Sequence, residues 1–281
     1  MSSQVWFITG CSTGIGRVLA LEALNQGHSV VATARNLAKI NDIAKIAPDR
    51  TLIRKLDVNK ESDIKATVAA ALKRFSKIDV LVNNAGYGLI GAIEELTISQ
   101  IRDQMETNFF GMVELIKETL PTMRQQQNGY IFNVSSMAGL RGFKGVGAYN
   151  ASKFAVVGLT EALAMELAPF NIKVAVVEPG PYKTDWAGRS LIKSEPMQTK
   201  NPASPYAELN QAIETMMENS DGKQPGDPLQ IAKILLLASQ QPEIPVHFLF
   251  GDEAISTWNV RLNKLNDPTF FSKYPHDKNT L

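Results

Sequence analysis

Tyr149 and Lys153 are the two residues whose types and spacing point most directly to chemistry. Four apart on a helix, they lie on one face, a turn from each other. An ammonium held there favours the phenolate, so it is expected to pull the tyrosine pKa below its free value of about 10. A phenol tuned that way gives or takes a proton near neutral pH, the work of a general acid-base. Ser136 follows the apolar run Tyr130 to Val134, which reads as a strand, so its hydroxyl is expected at the strand's carboxyl edge. In open α/β sheets that edge is where ligands bind. The competing reading is an ordinary helix with Tyr149 half buried and Lys153 solvated. The pair alone does not separate the two.

A second chemical feature lies near the amino terminus. Val5 to Thr9 is a short run of β-formers, Gly10-Cys11-Ser12-Thr13-Gly14-Ile15-Gly16-Arg17 follows, and Val18 to Leu24 reads as a helix closed by Gly27. Strand, glycine loop and helix form the context a dinucleotide phosphate needs. Glycines let the backbone approach the pyrophosphate, and the helix end presents free N–H groups with a partial positive charge. The second strand, His28 to Ala34, ends in Ala34-Arg35-Asn36 with no acid, and the next carboxylate is Asp42. An NAD site usually places an acid there against the ribose hydroxyls. Arg35 stands instead where a guanidinium grips a 2′-phosphate, and Arg17 is placed to close on it from the first helix. NADP(H) is therefore expected over NAD(H).

These features need elements to hold them, and the chain supplies them in alternation. Further strands are expected at Thr51 to Leu56, Ile78 to Val82, Tyr130 to Val134, Ile172 to Val177 and Val246 to Phe250. Helical patterns fall at Lys60 to Phe75, Ser99 to Met123, Val146 to Leu167, Ala207 to Met217 and Pro228 to Ser239. Asn108 interrupts an apolar stretch of its helix, so it needs a partner and marks a kink. Asp57 either accepts from an adenine amino group or caps the next helix. Asn83 is read with equal weight as a cofactor contact or a structural link between strands. The alternation gives an α/β fold with a doubly wound parallel sheet, a Rossmann fold. A single domain is expected over residues 1–251, with a lid at about 182–228 and a carboxyl-terminal extension at 252–281. Ile255, Trp258, Leu262 and Leu265 recur at helical spacing and read as packing or an oligomer contact, and residues from Phe271 as a loose tail.

Composition narrows the function classes. The chain has 281 residues, 44% hydrophobic and 20% charged, as in soluble globular proteins. A formal charge of +1 gives no electrostatic case for nucleic acid or an anionic membrane. One cysteine, Cys11, allows no internal disulfide, and His28, His247 and His276 are scattered, so no metal site is expected. No apolar run approaches the ~20 residues a membrane span needs, and the first strand starts too early for a signal peptide. A cytoplasmic protein is expected.

Taken together, Thr-Gly-x-x-x-Gly-Ile-Gly at 9–16, Asn-Asn-Ala-Gly at 83–86, Asn108, Ser136, Tyr149-x-x-x-Lys153 and Pro-Gly-x-x-x-Thr at 179–184 resemble the short-chain dehydrogenase/reductase family over about residues 4–251. Within it the sequence is similar to the branch near retinol and 17β-hydroxysteroid dehydrogenases. The resemblance implies Tyr149 as acid-base, Lys153 on the nicotinamide ribose and lowering the tyrosine pKa, Ser136 polarising a carbonyl, and Asn108 holding a relay water. It implies Gly10, Ser12, Thr13, Gly14, Ile15 and Gly16 around the phosphates, Asp57 and Val58 beside the adenine, and Asn84, Ala85 and Gly86 along the cofactor. Pro179, Gly180 and Thr184 would frame the nicotinamide. Tyr182 and Trp186 of the lid, with Tyr87 and Phe143 across the cleft, suggest an apolar substrate pocket. The expected activity is carbonyl reduction or alcohol oxidation on a hydrophobic small molecule, by a homodimer or homotetramer. The alternatives are a redox-sensing regulator without turnover, and an epimerase or dehydratase of the extended branch, whose spacing and length fit less well.

Overall fold

Seven runs rich in Val, Ile, Phe and Ala form one parallel sheet in a computed structural model that describes residues 3–266 apart from 189 and 221. The strands are β1 (Val5–Ile8), β2 (Ser29–Ala34), β3 (Thr51–Lys55), β4 (Val80–Asn83), β6 (Gly129–Val134), β7 (Ile172–Pro179) and β9 (His247–Phe250). Two shorter strands, β5 (Gly88–Ile90) and β8 (Leu191–Lys193), pair separately. The main sheet runs β3-β2-β1-β4-β6-β7-β9. Strand order reverses between β1 and β4, which opens a crevice at their carboxyl ends.

Alternation decides which side chains face which layer. Trp6, Ile8, Val30, Ala32, Val80, Val82 and Phe132 point to one face, packed by α1 (Gly14–Asn25) and α8 (Pro228–Ala238). Phe7, Val31, Leu81, Ile131, Val174 and Val176 point to the other, against α2 (Glu61–Phe75), α4 (Gly111–Gln126) and α5 (Gly147–Leu167). Both faces are dry, which is why the strands read as continuous apolar runs. Fully burying each such side chain contributes about 1.5–3 kcal/mol. The sheet is thus a stiff platform for whatever its edge carries.

The long helical pattern is split as the sequence suggested. α3 (Ile98–Met105) runs into a π turn over Glu106–Phe110, and α4 continues from it, with Asn108 inside the widened turn. The segment expected as a lid, residues 182–228, is more regular than its prolines imply. It holds β8, α6 (Glu195–Gln198) and α7 (Ala207–Ser220), three residues longer than expected. Its ends are tied where Lys183 N donates to the Gly226 carbonyl at 2.8 Å and Gly226 N to Pro181 at 3.2 Å. α9 (Asp252–Leu265) follows β9, leaving Ile255, Leu262 and Leu265 exposed, while Trp258 packs on His247 with ring centroids 5.2 Å apart. The tail from Phe271 lies outside the described residues. No helix among the described residues is long and apolar enough to cross a membrane.

Candidate active site

The glycine loop sits at the crevice between β1 and β4. Gly10 and Gly14 have φ of +71° and +59°, a region L side chains rarely adopt. A Cβ on Gly10 would meet Asn84 Nδ2 at 2.9 Å, one on Gly14 the Thr184 Cβ at 3.2 Å, and one on Gly16 the Gly10 carbonyl at 2.7 Å. Thr13 begins α1 in extended conformation with no side-chain cap, and the first turn carries no acid. The first N–H groups of α1 are therefore left to an external anion. This glycine cradle, opening on an uncapped helix, fits a dinucleotide's pyrophosphate.

Asn84 is bonded to the loop itself. Its side-chain amide donates to the carbonyls of Thr9 (2.8 Å) and Gly10 (3.2 Å), while the Thr9 hydroxyl accepts from Asn84 N and Ala85 N at 2.8 and 2.9 Å. Asn84 braces the loop from β4. Asn83 resolves towards its structural reading: its amide donates to Asn133 Oδ1 at 2.8 Å, and Asn133 in turn to Thr160 at 3.0 Å, all buried. Gly180 is fixed by β9, with its N–H on the Phe250 carbonyl at 2.9 Å, next to Pro179 at the end of β7. Asp57 accepts from Asn59 N at 3.2 Å, closing its own turn, while Val58 is buried against Gly111.

The four residues expected to act together do converge. β6 delivers Ser136 just past its end, where its hydroxyl oxygen accepts from Ala138 N at 3.1 Å. α5 presents Tyr149 and Lys153, each 5% exposed. Lys153 Nζ donates to the Val134 carbonyl at 2.9 Å and lies 5.7 Å from the Tyr149 ring centroid. A Cβ on Gly86 would stand 3.6 Å from Lys153 Nζ and 3.0 Å from Asn108 Oδ1. Asn108 accepts from Tyr87 N and donates to Tyr87 O, both at 3.0 Å, and donates to Ser152 Oγ at 3.0 Å. Ser152 then donates to the Tyr149 carbonyl at 2.8 Å. Both amide hydrogens and the oxygen of Asn108 are engaged. Ser152, and Ser135 with its hydroxyl on the Lys153 carbonyl at 3.0 Å, went unnoticed in the sequence because nothing in their spacing marks them.

The electrostatics correct the first expectation. Burial pushes the Tyr149 phenol up to about 12, opposed by the Ser136 hydroxyl and the Trp186 indole N–H. Lys153 does not lower it here, because burial holds the lysine itself down to about 8 and its ammonium is spent on a carbonyl. Buried Cys11, beside the loop, is likewise pushed up to about 12, so it is an inert thiol.

Three other placements differ from expectation. Arg17 is committed to Asp42, the carboxylate that follows β2, and to the Lys39 carbonyl at 3.0 Å. It is not free to close on a 2′-phosphate. Arg35 is exposed beyond β2. Tyr182 packs in the core cluster with Phe250 and Ile231, under Gly226 and Gly251, away from Tyr149. Tyr87 packs with Leu89, Leu96 and Ile101 on the α3 side. Of the four aromatics expected around a substrate, Phe143 and Trp186 join Tyr149, in a cluster with Ile90, Val146, Leu191, Met197, Ile213 and Met217.

Comparison with known proteins agrees with this geometry. The family model described as short chain dehydrogenase matches residues 4–194. An oxidoreductase of Botryotinia fuckeliana is 38% identical over 254 residues, 90% of each chain. A 3-ketodihydrosphingosine reductase of Bacteroides thetaiotaomicron is 38% identical over 219 residues, covering 78% of this chain and 79% of its own. The crystal structure of a short-chain dehydrogenase from Streptomyces avermitilis superposes with a TM-score of 0.87 at 36% identity, over 96% of this chain and 98% of that one. With an uncapped glycine loop at the sheet's switch point and a buried tyrosine-lysine pair beside it, this chain belongs to the short-chain dehydrogenase/reductase family of oxidoreductases.

Proposed function

We propose that the protein interconverts a hydrophobic ketone or aldehyde and its alcohol, using NADP(H), with Tyr149 as general acid-base. The observation that carries this reading is the pair of buried Tyr149 and Lys153 with half-buried Ser136 at the sheet's carboxyl edge, beside Gly86. When bound, the nicotinamide supplies the hydride in reduction and accepts it in oxidation. Gly10, Ser12, Thr13, Gly14, Ile15 and Gly16 would hold the phosphates, Ala85 and Gly86 the inner ribose side, and Thr184, seated on Gly14, the nicotinamide end. Ser136, whose oxygen accepts from Ala138 N, would turn its proton from the Tyr149 phenol to a substrate carbonyl.

Tyr149 gives its proton to the substrate oxygen in reduction. A phenol held near 12 is fully protonated at neutral pH, which suits the acid's part. Lys153, whose Nζ lies on the Gly86 side of the cluster, would hold the nicotinamide ribose. Asn108 keeps its side chain for the Tyr87 peptide and Ser152, so a relay water would use its main-chain carbonyl in the π turn. Arg35 is the residue for a 2′-phosphate, and Arg17 contributes by neutralising Asp42, the nearest carboxylate. Exposed Ile234 and Leu237 on α8, with Ile255 and Leu262 on α9, support a homodimer or homotetramer.

The substrate side is apolar: Phe143, Trp186, Met197, Ile213 and Met217 surround Tyr149 with little polar relief. The name of the Bacteroides relative is that of a keto-group reductase, which agrees with this reading. A panel of ketones, aldehydes, steroids and retinoids followed by NADPH absorbance tests it. Higher kcat/KM for bulky apolar carbonyls is expected. Preference for small charged hydroxy acids would overturn the substrate class.

A further inference from the structure

Trp186 lies in the short turn Asp185–Ala187 of the lid, where Thr184 Oγ1 accepts from its backbone N–H at 3.4 Å. Its ring meets that of Tyr149 with centroids 5.3 Å apart and planes at 45°. On its other side it rests on the bare Cα of Gly88. A Cβ there would stand 2.9 Å from Trp186 Cζ2 and 3.1 Å from Cε2, so only glycine leaves room for the indole. Gly88 begins β5 and Leu191 begins the paired β8, which fixes the lid residue against the body of the protein. The indole is held from both sides.

Its Nε1 is buried and makes no hydrogen bond. Leaving such a donor unsatisfied costs about 1–3 kcal/mol, and buried polar groups that lack a partner in the free protein commonly meet one in a ligand. Ser136 and the indole both favour the ionised form of the Tyr149 phenol, against whose ring the indole lies. The unpartnered indole N–H thus lies in the same otherwise apolar pocket as the Tyr149 ring. A free donor in such a place suits an oxygen on which negative charge develops.

We infer that Trp186 is a third substrate-contacting catalytic residue, its indole N–H donating to the reacting oxygen beside Ser136 and Tyr149. The inference rests on the carbonyl-alcohol reading above. In reduction the carbonyl π bond breaks, a hydride forms the new C–H bond and the Tyr149 proton forms the new O–H bond. The cofactor is oxidised as the carbonyl carbon is reduced, and the tyrosinate regains its proton from solvent. The indole proton is not transferred. It stabilises the oxygen as charge builds, and it selects a carbonyl small enough at oxygen, yet apolar enough around it, to slip under the ring.

Trp186→Phe keeps an aromatic ring and removes the N–H. The expected result is a loss of roughly 10- to 100-fold in kcat, with KM for an apolar ketone changed by less than about threefold, because the lost bond strengthens in the transition state. In the oxidation direction the rising limb of the pH-rate profile should move to higher pH, since a donor to the tyrosinate is gone. NADPH binding, read by cofactor fluorescence, should be unchanged. Wild-type kcat and an unmoved profile would overturn the inference, as would loss of NADPH binding. Should Trp186→Phe fail to fold, Gly88→Ala keeps the indole but pushes it, with its N–H, out of position. It should also lower kcat, and wild-type kcat in that variant would overturn the proposal. Tyr149→Phe separates the levels: if that variant is active, the underlying reaction is wrong, whereas an inactive Tyr149→Phe with a wild-type Trp186→Phe removes only the role of the indole.

Discussion

Arg35 projects past β2 with no carboxylate beside it, and no hydrogen bond or ion pair engages its guanidinium among the described residues. A charge-assisted bond to a 2′-phosphate contributes about 1.5–3 kcal/mol net, which is roughly 10- to 150-fold in affinity. The wild type should therefore favour NADPH over NADH in kcat/KM by at least that range. Arg35→Ala should lose most of the preference by weakening NADPH alone. Equal use of both cofactors by the wild type, or an unchanged ratio in the variant, would reduce Arg35 to a surface charge. At this scale the sequence was legible wherever a motif fixes position: Ser136, Tyr149 and Lys153 meet because a strand end and one helix face bring them together. It was illegible where the environment decides. The direction of the Tyr149 shift depends on burial and on where the Lys153 ammonium is spent, and neither is a property of spacing. Arg17 was misread for a related reason: its partner Asp42 lies 25 residues away and is brought back by the turns after β2.

The lid segment is tied to the body chiefly by Glu95, with the neighbouring Glu94 accepting from the Tyr206 hydroxyl at 2.5 Å. Glu95, in the turn after β5, accepts from Ser194 Oγ at 3.4 Å, from Asn210 Nδ2 at 2.9 Å and from the Ser204 hydroxyl. Ser194 N donates to the Ile90 carbonyl at 2.8 Å, and Lys193 pairs with the buried Glu214 of α7 at 2.7 Å. Three stations of the lid thus depend on Glu95. Glu95→Ala should leave those donors without an acceptor, raise KM for bulky substrates by roughly 3- to 10-fold, and speed proteolytic cleavage between residues 191 and 217. NADPH affinity should stay the same, because the glycine loop does not touch this turn. Unchanged KM together with unchanged protection would show that the lid is held by its apolar face alone. The helices and the main sheet's strands announce themselves by periodicity. β5 and β8 do not, being three residues each and paired across 103 residues, so a segment rich in proline and polar residues reads as loop until its partner is in place. Tyr182 reads as a pocket residue because it is an aromatic of the expected lid, whereas the Tyr182–Gly226 bridge turns its ring into the core.

For the whole molecule, alternating apolar runs and amphipathic helices predict a doubly wound sheet, and its seven strands lie where the sequence places them. Both faces of that sheet are sealed, so the chemistry is left to the carboxyl edge, where the order reverses. The cradle of Gly10, Gly14 and Gly16 and the cluster of Ser136, Tyr149 and Lys153 then lie on one crevice, with the lid above them. The central claim is that a proton passes through Tyr149 at this crevice. Tyr149→Phe, assayed by NADPH absorbance with the best apolar carbonyl of the panel and by NADPH fluorescence for binding, tests it directly. Turnover should fall by roughly 10²- to 10⁴-fold, the share a general acid supplies, while NADPH binds as in the wild type. A variant that turns over within a few-fold of wild type would contradict the account.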